Sequence, residues 1–341
     1  MPSLQLDTPT PLQDMTGQWW EPEELSPAIR DYLPAYTNTS PTNIVLLQPP
    51  ANVVELAERI STFWMIYMCD KLSSVVAGFV CALPSESDAV DAVETVFPRM
   101  MDEYELGTVS DVGSSNLLLL FDHVPPTITP QRDSCWTVII KGFGILERAI
   151  KLSAAYRARP TSNSAVALRQ LELAANRFLS TLRPVAYFIS GDVSTENMNS
   201  EDMAIFMAHH TVLGALMEIH QTLVDVDEKA YEARLCCAKS MAELTAAVTE
   251  GGLVYGCLIG VGFCWCLGAE VLIQHIESND DKEVFVENYE AHLANIVSAL
   301  EKLSLTFPML VHQFKQVQEA LGRIGGLSGI GVFAESSGES D

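Results

Sequence analysis

Residues 52–77 read NVVELAERISTFWMIYMCDKLSSVVA, and the prediction of the fold starts from their pattern. Its apolar residues recur every three or four positions, which is the period of an amphipathic helix. They are Val53, Leu56, Ile60, Phe63, Trp64, Tyr67 and Val75. A helix of about seven turns with one broad apolar face needs other elements to cover that face, so the rest of the chain must supply packing partners.

Similar helical patterns follow, while the alternation of a half-buried strand is nearly absent. They cover 130–157, 164–182, 200–223, 227–241, 254–276, 282–304 and 308–321. The first of these begins with Pro130 at a first helical position and includes Trp136 in its apolar stripe. The sequence therefore predicts an all-α, multi-helix domain.

The two ends of the chain differ from the middle. Nine of the 17 prolines fall within residues 1–50, and proline breaks helices. We interpret 1–50 as an irregular arm with one short helix near 23–33, 51–324 as the helical domain, and 325–341 as a Gly/Ser-rich acidic tail that is mobile. The N-terminus has neither the apolar core of a secretory signal nor the arginines of a transit peptide.

Charge excludes one class of function. Acidic residues number 44 and basic residues 20, for a net charge of −24, while 48% of residues are hydrophobic. This hydrophobic content is too high for a disordered chain. Gripping DNA or RNA phosphates requires clustered Lys and Arg, so we expect any DNA contact to be indirect.

Residues 251–269 carry no charge over nineteen positions, long enough to span a membrane. Glycines recur at multiples of four within it, as in closely packed helices. The flanks are acidic, with no basic cluster marking a cytoplasmic side. We favour a helix buried in the core of the domain over a membrane span, and expect its glycines to let neighbouring helices approach closely.

Candidate catalytic and metal-binding groups are weak. The eight cysteines include no CxxC pair, and we expect most to be buried thiols in a reducing compartment. His209, His210 and His220, with Glu218, lie on one helix but turns apart, so they cannot meet at one ion. The acidic run 279–283 suits a helix start better than a magnesium motif. We predict no catalytic, cofactor or metal residue, and no enzyme.

An acidic and apolar segment covers residues 86–111. Such composition serves activation domains. We favour the simpler interpretation, a solvated connection packed over a helical core.

Several motifs occur in a fixed order: WWEP at 19–22, ERISTFWMIYMCD at 58–70, Gly78, TVFPR at 95–99 and RDSCW at 132–136. This set resembles the regulatory region of fungal binuclear zinc cluster transcription factors, the middle homology or xylanolytic-activator-type domain, and is similar to basidiomycete members. The motif positions with structural roles are Arg59, Phe63, Trp64, Asp70, Gly78 and Pro98.

The resemblance implies a nuclear, non-enzymatic regulator of transcription. Its implied partners are other transcription proteins, including a second copy or a relative in a dimer, and a small-molecule effector. The zinc of full-length family members needs a six-cysteine cluster that these residues lack, and the link at 34–49 is shorter than in the family. The alternative is a stand-alone interaction or decoy module that pairs with full-length relatives. An all-α enzyme and a single-span membrane protein are the less favoured alternatives.

The motif helix also allows local predictions. Phe63 and Trp64 are expected to anchor it in the core. Arg59 and Asp70 are eleven residues apart, about 16 Å along a helix, so each needs its own partner. Glu55, four residues before Arg59, is the nearest candidate, and Gly78 suits a helix end.

Overall fold

The computed structural model describes residues 50–78, 81–83, 93, 95–107, 117–121, 133–189, 199–250, 259–278 and 286–323. Within these residues the chain forms helices and no strand, so the all-α prediction is confirmed. The helices are α1 Val53–Ala77, α2 Met101–Glu105, α3 Leu117–Phe121, α4 Cys135–Ala158, α5 Ser162–Thr181, α6 Val185–Ile189, α7 Ser200–Leu223, α8 Ala230–Glu250, α9 Ile259–Glu277, α10 Val286–Thr306 and α11 Met309–Arg323.

Polar side chains start four of the long helices. The side-chain oxygens of Asn52, Ser134, Thr161 and Asn199 each accept a hydrogen bond from a backbone amide of the first turn of α1, α4, α5 and α7. The amides of a first turn have no partner within the helix, so such a cap stabilises its start by about 1 kcal/mol. α5 carries a reciprocal capping box between Thr161 and Ser164.

Helix α7 is the centre of the domain. It packs most extensively against α4 and also contacts α5, α8 and α9. Nineteen of its 24 residues are buried, which explains why its sequence is apolar around most of its circumference. The remaining helices add to this core: α1 packs on α4, and α10 and α11 pack on α9.

Helix α9 is the apolar helix of the C-terminal third. By length and composition it could cross a membrane, but 67% of its apolar window is buried inside the domain. Trp265 is fully buried. At Gly262, an added β-carbon would lie 3.0 Å from Leu303 Cδ2, so α10 approaches closely. The burial and close approach predicted for this stretch are confirmed over 259–277, and residues 251–258 lie outside the described part.

Some local predictions were wrong. Helix α4 begins at Cys135 rather than at Pro130, because Ser134 caps it. Trp136, assigned to the apolar stripe, lies on its first turn and is 45% exposed. Val53, in the first turn of α1, is 52% exposed. Of the seven described cysteines only Cys264 and Cys266 are buried, and both lie in α9. The other five are partly or fully exposed.

Other sequence predictions fall outside the described residues. These are the arm over 1–49, the acidic run 279–283, the tail 325–341 and most of the acidic segment 86–111. The described remainder of that segment includes Phe97 and Tyr104, which are buried against the helical core.

Candidate functional site

Three of the motif segments, 58–70, 95–99 and the described part of 132–136, meet at one place, where α1 and α4 pack together. Trp64 of α1 is fully buried. Its indole Nε1–H donates to the carbonyl oxygen of Val96 at 2.6 Å, and its ring stacks on Phe97 with the centroids 4.6 Å apart. Phe63 is half-buried beside it in an edge-on contact at 5.4 Å. We call this region, residues 64–71, 81–83, 95–98 and 134–141, the motif hub.

Pro98 joins the hub to the start of α4. Its carbonyl oxygen accepts hydrogen bonds from the hydroxyls of Ser134 at 2.8 Å and Thr137 at 2.5 Å. A carbonyl has two lone pairs, so it accommodates both donors. The Ser134 oxygen also accepts from the backbone N–H of Thr137 at 3.1 Å. One serine therefore caps α4 and holds the preceding segment in place.

Asp70 and Lys71 hold a second segment of the hub. The Asp70 carboxylate accepts from the backbone N–H groups of Ala82 at 2.8 Å and Leu83 at 3.2 Å. Burial acts to raise the pKa of Asp70, but these bonds and the Lys71 ammonium outweigh it and lower the pKa below its usual value. Lys71 has no exposed surface and donates to the Leu83 carbonyl.

The remaining motif residues have separate roles. Arg59 pairs with Glu55 at 2.5 Å near the start of α1, as predicted, and lies outside the hub. Gly78 follows the end of α1 with a φ of 69°, a left-handed conformation that glycine adopts without strain. The structure thus brings Trp64, Asp70 and Pro98 together in the hub, and leaves Arg59 and Gly78 as structural residues of α1.

Sequence reasoning missed a buried carboxylate next to the hub. Glu147 of α4 is 1% exposed. It accepts from Lys151 at 2.9 Å and from the Cys81 thiol at 3.2 Å. Burial, with the nearby Glu147 charge, raises the pKa of Cys81, which keeps the thiol protonated and a poor nucleophile. A Glu–Lys pair at i, i+4 is an ordinary surface pattern, so its burial was not visible in the sequence.

The histidines of α7 are core residues. Burial lowers the pKa of His210 to about 3, so its ring is neutral and carries one N–H. Its Nδ1 lies 2.9 Å from the Phe206 carbonyl oxygen and its Nε2 lies 3.2 Å from the Thr245 hydroxyl. Because a carbonyl only accepts, we assign the proton to Nδ1. The Thr245 hydroxyl donates its own proton to the Met241 carbonyl oxygen at 2.7 Å.

Two further histidines of α7 are also buried. Burial lowers the pKa of both His209 and His220. His209 bonds the Arg183 carbonyl, whereas His220 lies 3.9 Å from Glu172. The described residues contain no group of three or more His, Cys, Asp or Glu side chains placed to hold a metal ion.

Chemically, the hub is suited to holding backbone in place. Its polar side chains bind carbonyl and amide groups of non-helical segments, and its aromatic rings bury an apolar anchor. Comparison of the chain with protein-family models, with curated proteins and with solved structures found no match.

Proposed function

We propose that this chain is a regulatory domain related to fungal zinc cluster transcription factors, and that it modulates transcription in the nucleus by binding an effector or a protein. The observation that supports this proposal is the convergence of three of the motif segments. Trp64 bonds Val96, and Ser134 bonds Pro98, so segments up to 70 positions apart meet in the hub. Motifs that the chain shares with a family are expected to occur together when the folding of each segment depends on contacts with the others.

A tethering experiment tests this function. The full chain is fused to a heterologous DNA-binding domain, and transcription of a reporter carrying its sites is measured in fungal cells. We expect the fusion to change reporter output relative to the DNA-binding domain alone. An unchanged output with a nuclear, intact fusion contradicts the proposal.

Two variants separate folded regulation from the effect of acidity alone. Trp64→Ala removes a fully buried side chain, which costs about 3–5 kcal/mol, and should abolish the effect. Leu173→Ala alters a 62% exposed position of α5 and should preserve it. If Trp64→Ala retains the full effect, the acidic composition acts without the fold and the regulatory-domain proposal fails.

The second candidate is an interaction module that pairs with full-length relatives. The untethered chain, co-expressed with a full-length zinc cluster regulator, would then lower that regulator's output. No change in that output at matched protein levels contradicts this second function.

A further inference from the structure

The link between α4 and α5 is basic, although the chain as a whole is strongly acidic. Residues 148–171 contain five basic residues and no acidic one, while acidic residues outnumber basic ones by 44 to 20 in the whole chain. Residues 157–163, RARPTSN, lie near the centre of this stretch and are all exposed. Such a segment is complementary to an enzyme groove lined with acidic side chains.

The backbone of the link is extended. Arg159 has a φ of −152° and a ψ of 90°, and Thr161 has a φ of −135° and a ψ of 156°. Pro160 between them disfavours a helical conformation at Arg159. The three residues before Ser162 therefore already have the form in which a groove can bind a segment of chain.

The arginines of the link have a specific spacing to one hydroxyl group. Three hydroxyl residues follow an arginine by three positions, and they are Thr62, Ser162 and Ser180. Of these, only Ser162 also follows an arginine by five positions, which is Arg157. The hydroxyls of Thr62 and Ser180 each donate to a backbone carbonyl oxygen at 2.7 Å. Both are therefore engaged within their own helices.

The Ser162 hydroxyl also differs from its two hydroxyl neighbours. The Thr161 and Ser164 hydroxyls lie 2.8 Å apart and take part in the capping box of α5. By contrast, the Ser162 hydroxyl has no hydrogen-bond partner among the residues that the structure describes. Ser162 is thus the hydroxyl of this link that is free to react.

We propose that Ser162 is a phosphorylation site, and that its enzyme is a protein kinase whose substrate groove has acidic side chains for Arg157 and Arg159. The kinase transfers the γ-phosphoryl group of magnesium-bound ATP to Ser162 Oγ. A bond forms between Oγ and phosphorus, the bond from phosphorus to the bridging β–γ oxygen breaks, and ADP leaves. The hydroxyl proton passes to a carboxylate of the kinase.

Both arginines can reach such a groove. The Arg159 side chain makes no hydrogen bond or ion pair within the described part of the chain. Arg157 is 50% exposed and contacts Glu218 and Thr222 through a single nitrogen, Nη1. A guanidinium group has five N–H donors, so Arg157 has further donors for a carboxylate of the kinase.

The kinase must open the first turn of α5 to reach Ser162 Oγ. The first amides of a helix have no partner within it, so opening this turn costs less than opening the middle of the helix. Thr161→Ala removes the side chain that caps the turn and should raise the phosphorylation rate by about threefold or more. Loss of phosphorylation in Thr161→Ala would identify Thr161 as the acceptor and overturn the proposal.

The test incubates the full chain with MgATP and a purified serine kinase that requires arginine three and five positions before its acceptor. Mass spectrometry of tryptic peptides then locates the phosphate. We expect phosphate on Ser162 and at least about tenfold less on Ser180, which lies on the same helix and has one arginine at the same spacing. Equal phosphorylation of Ser162 and Ser180 overturns the proposal. So does an unmodified chain when a peptide of residues 155–168 is phosphorylated by the same kinase.

Matched variants test how the site is recognised. Ser162→Ala should remove the phosphate from this segment. Arg159→Gln should lower kcat/KM for the chain as substrate at least about tenfold. Arg177→Gln, which changes the arginine three positions before Ser180, should leave that value as in wild type, with circular dichroism confirming that each variant is folded. Equal effects of the two arginine variants would contradict recognition through this spacing.

The phosphorylation site and the proposed function can fail separately, because none of these readouts involves transcription. A chain that changes reporter output without being phosphorylated keeps the regulatory function and loses the site. A chain that is phosphorylated at Ser162 without changing reporter output does the reverse.

Discussion

Gly142 of α4 faces Thr211 of α7 so closely that a β-carbon at residue 142 would overlap the Thr211 hydroxyl oxygen. The same carbon would lie 3.3 Å from Ala208 Cα, a backbone atom that cannot move aside alone. Gly142→Ala should therefore force α4 and α7 apart and lower the free energy of unfolding by about 1–3 kcal/mol. Urea denaturation measures the change.

Gly322→Ala in α11 is the matched control. Nothing lies within 4 Å of the β-carbon that it would add, and alanine favours a helix over glycine by about 0.5–1 kcal/mol. We expect this variant to be neutral or more stable than wild type. Equal effects of the two substitutions would show that helix propensity, and not the α4–α7 contact, controls the result.

The second prediction concerns a buried carboxylate. Asp202 in the first turn of α7 has a 4% exposed side chain and pairs with Arg183, which precedes α6. Arg183→Met would leave this charge without its partner in a poorly solvated position, which should cost about 2–3 kcal/mol. Thermal and urea unfolding of the variant at pH 7 measure the loss.

A comparable pair at the surface gives the control for Arg183→Met. Arg323 Nε lies 3.8 Å from the Glu277 carboxylate, and the two side chains are 67% and 39% exposed. Arg323→Met should cost less than about 1 kcal/mol, because water solvates both charges. A loss of unfolding free energy in Arg183→Met no larger than in Arg323→Met would contradict the importance of burial.

Helix periodicity carried most of the fold prediction because it depends on local sequence alone. The stripes around Leu168 and His210 are buried as predicted, and so are Ile60, Trp64, Tyr67 and Val75 of the first stripe. The start of α4 was misplaced because Pro130 and Ser134 are both favourable start signals, and the sequence does not rank them. Ser134 prevails in the structure, where its hydroxyl serves both the helix cap and the Pro98 carbonyl.

The polar contacts of the hub were not predictable to the same degree. Lys71 follows Asp70 on α1 and looks like a surface residue in the sequence. In the structure it is fully buried, because the Leu83 carbonyl and the Asp70 carboxylate replace its water. The partners at residues 82 and 83 lie twelve or thirteen positions further along the chain, beyond the end of α1. Contacts of this kind follow no helical period, so the residue pattern does not indicate them.

Asp70 provides the third prediction. Asp70→Asn keeps an acceptor oxygen for only one of the two amides, because Ala82 and Leu83 bond different carboxylate oxygens. It also removes the charge next to buried Lys71. We expect the free energy of unfolding to fall by about 1–3 kcal/mol at pH 7. Glu58→Gln, an exposed change on the same helix, is the control for altered net charge and should be nearly neutral.

The pH dependence of that loss follows from the lowered pKa of Asp70. The stabilisation by the Asp70 charge is present above the usual carboxyl pKa of 3.8 and is lost as the pH falls through the lower pKa of the folded chain. The difference in unfolding free energy between wild type and Asp70→Asn should therefore narrow in strong acid. A difference that stays constant down to pH 2 would contradict a charged role for Asp70.

The last prediction concerns His210, whose ring is neutral inside the folded domain. Burial lowers its pKa from 6.5 to about 3, so between these values the unfolded chain binds one more proton at this residue. The stabilisation is complete above pH 6.5 and falls by about 1.4 kcal/mol per pH unit below it. Urea midpoints between pH 7.5 and pH 4.5 should decrease accordingly, and His210→Leu should reduce the slope by about one proton. An unchanged slope in His210→Leu would mean that this ring does not stay neutral in the core.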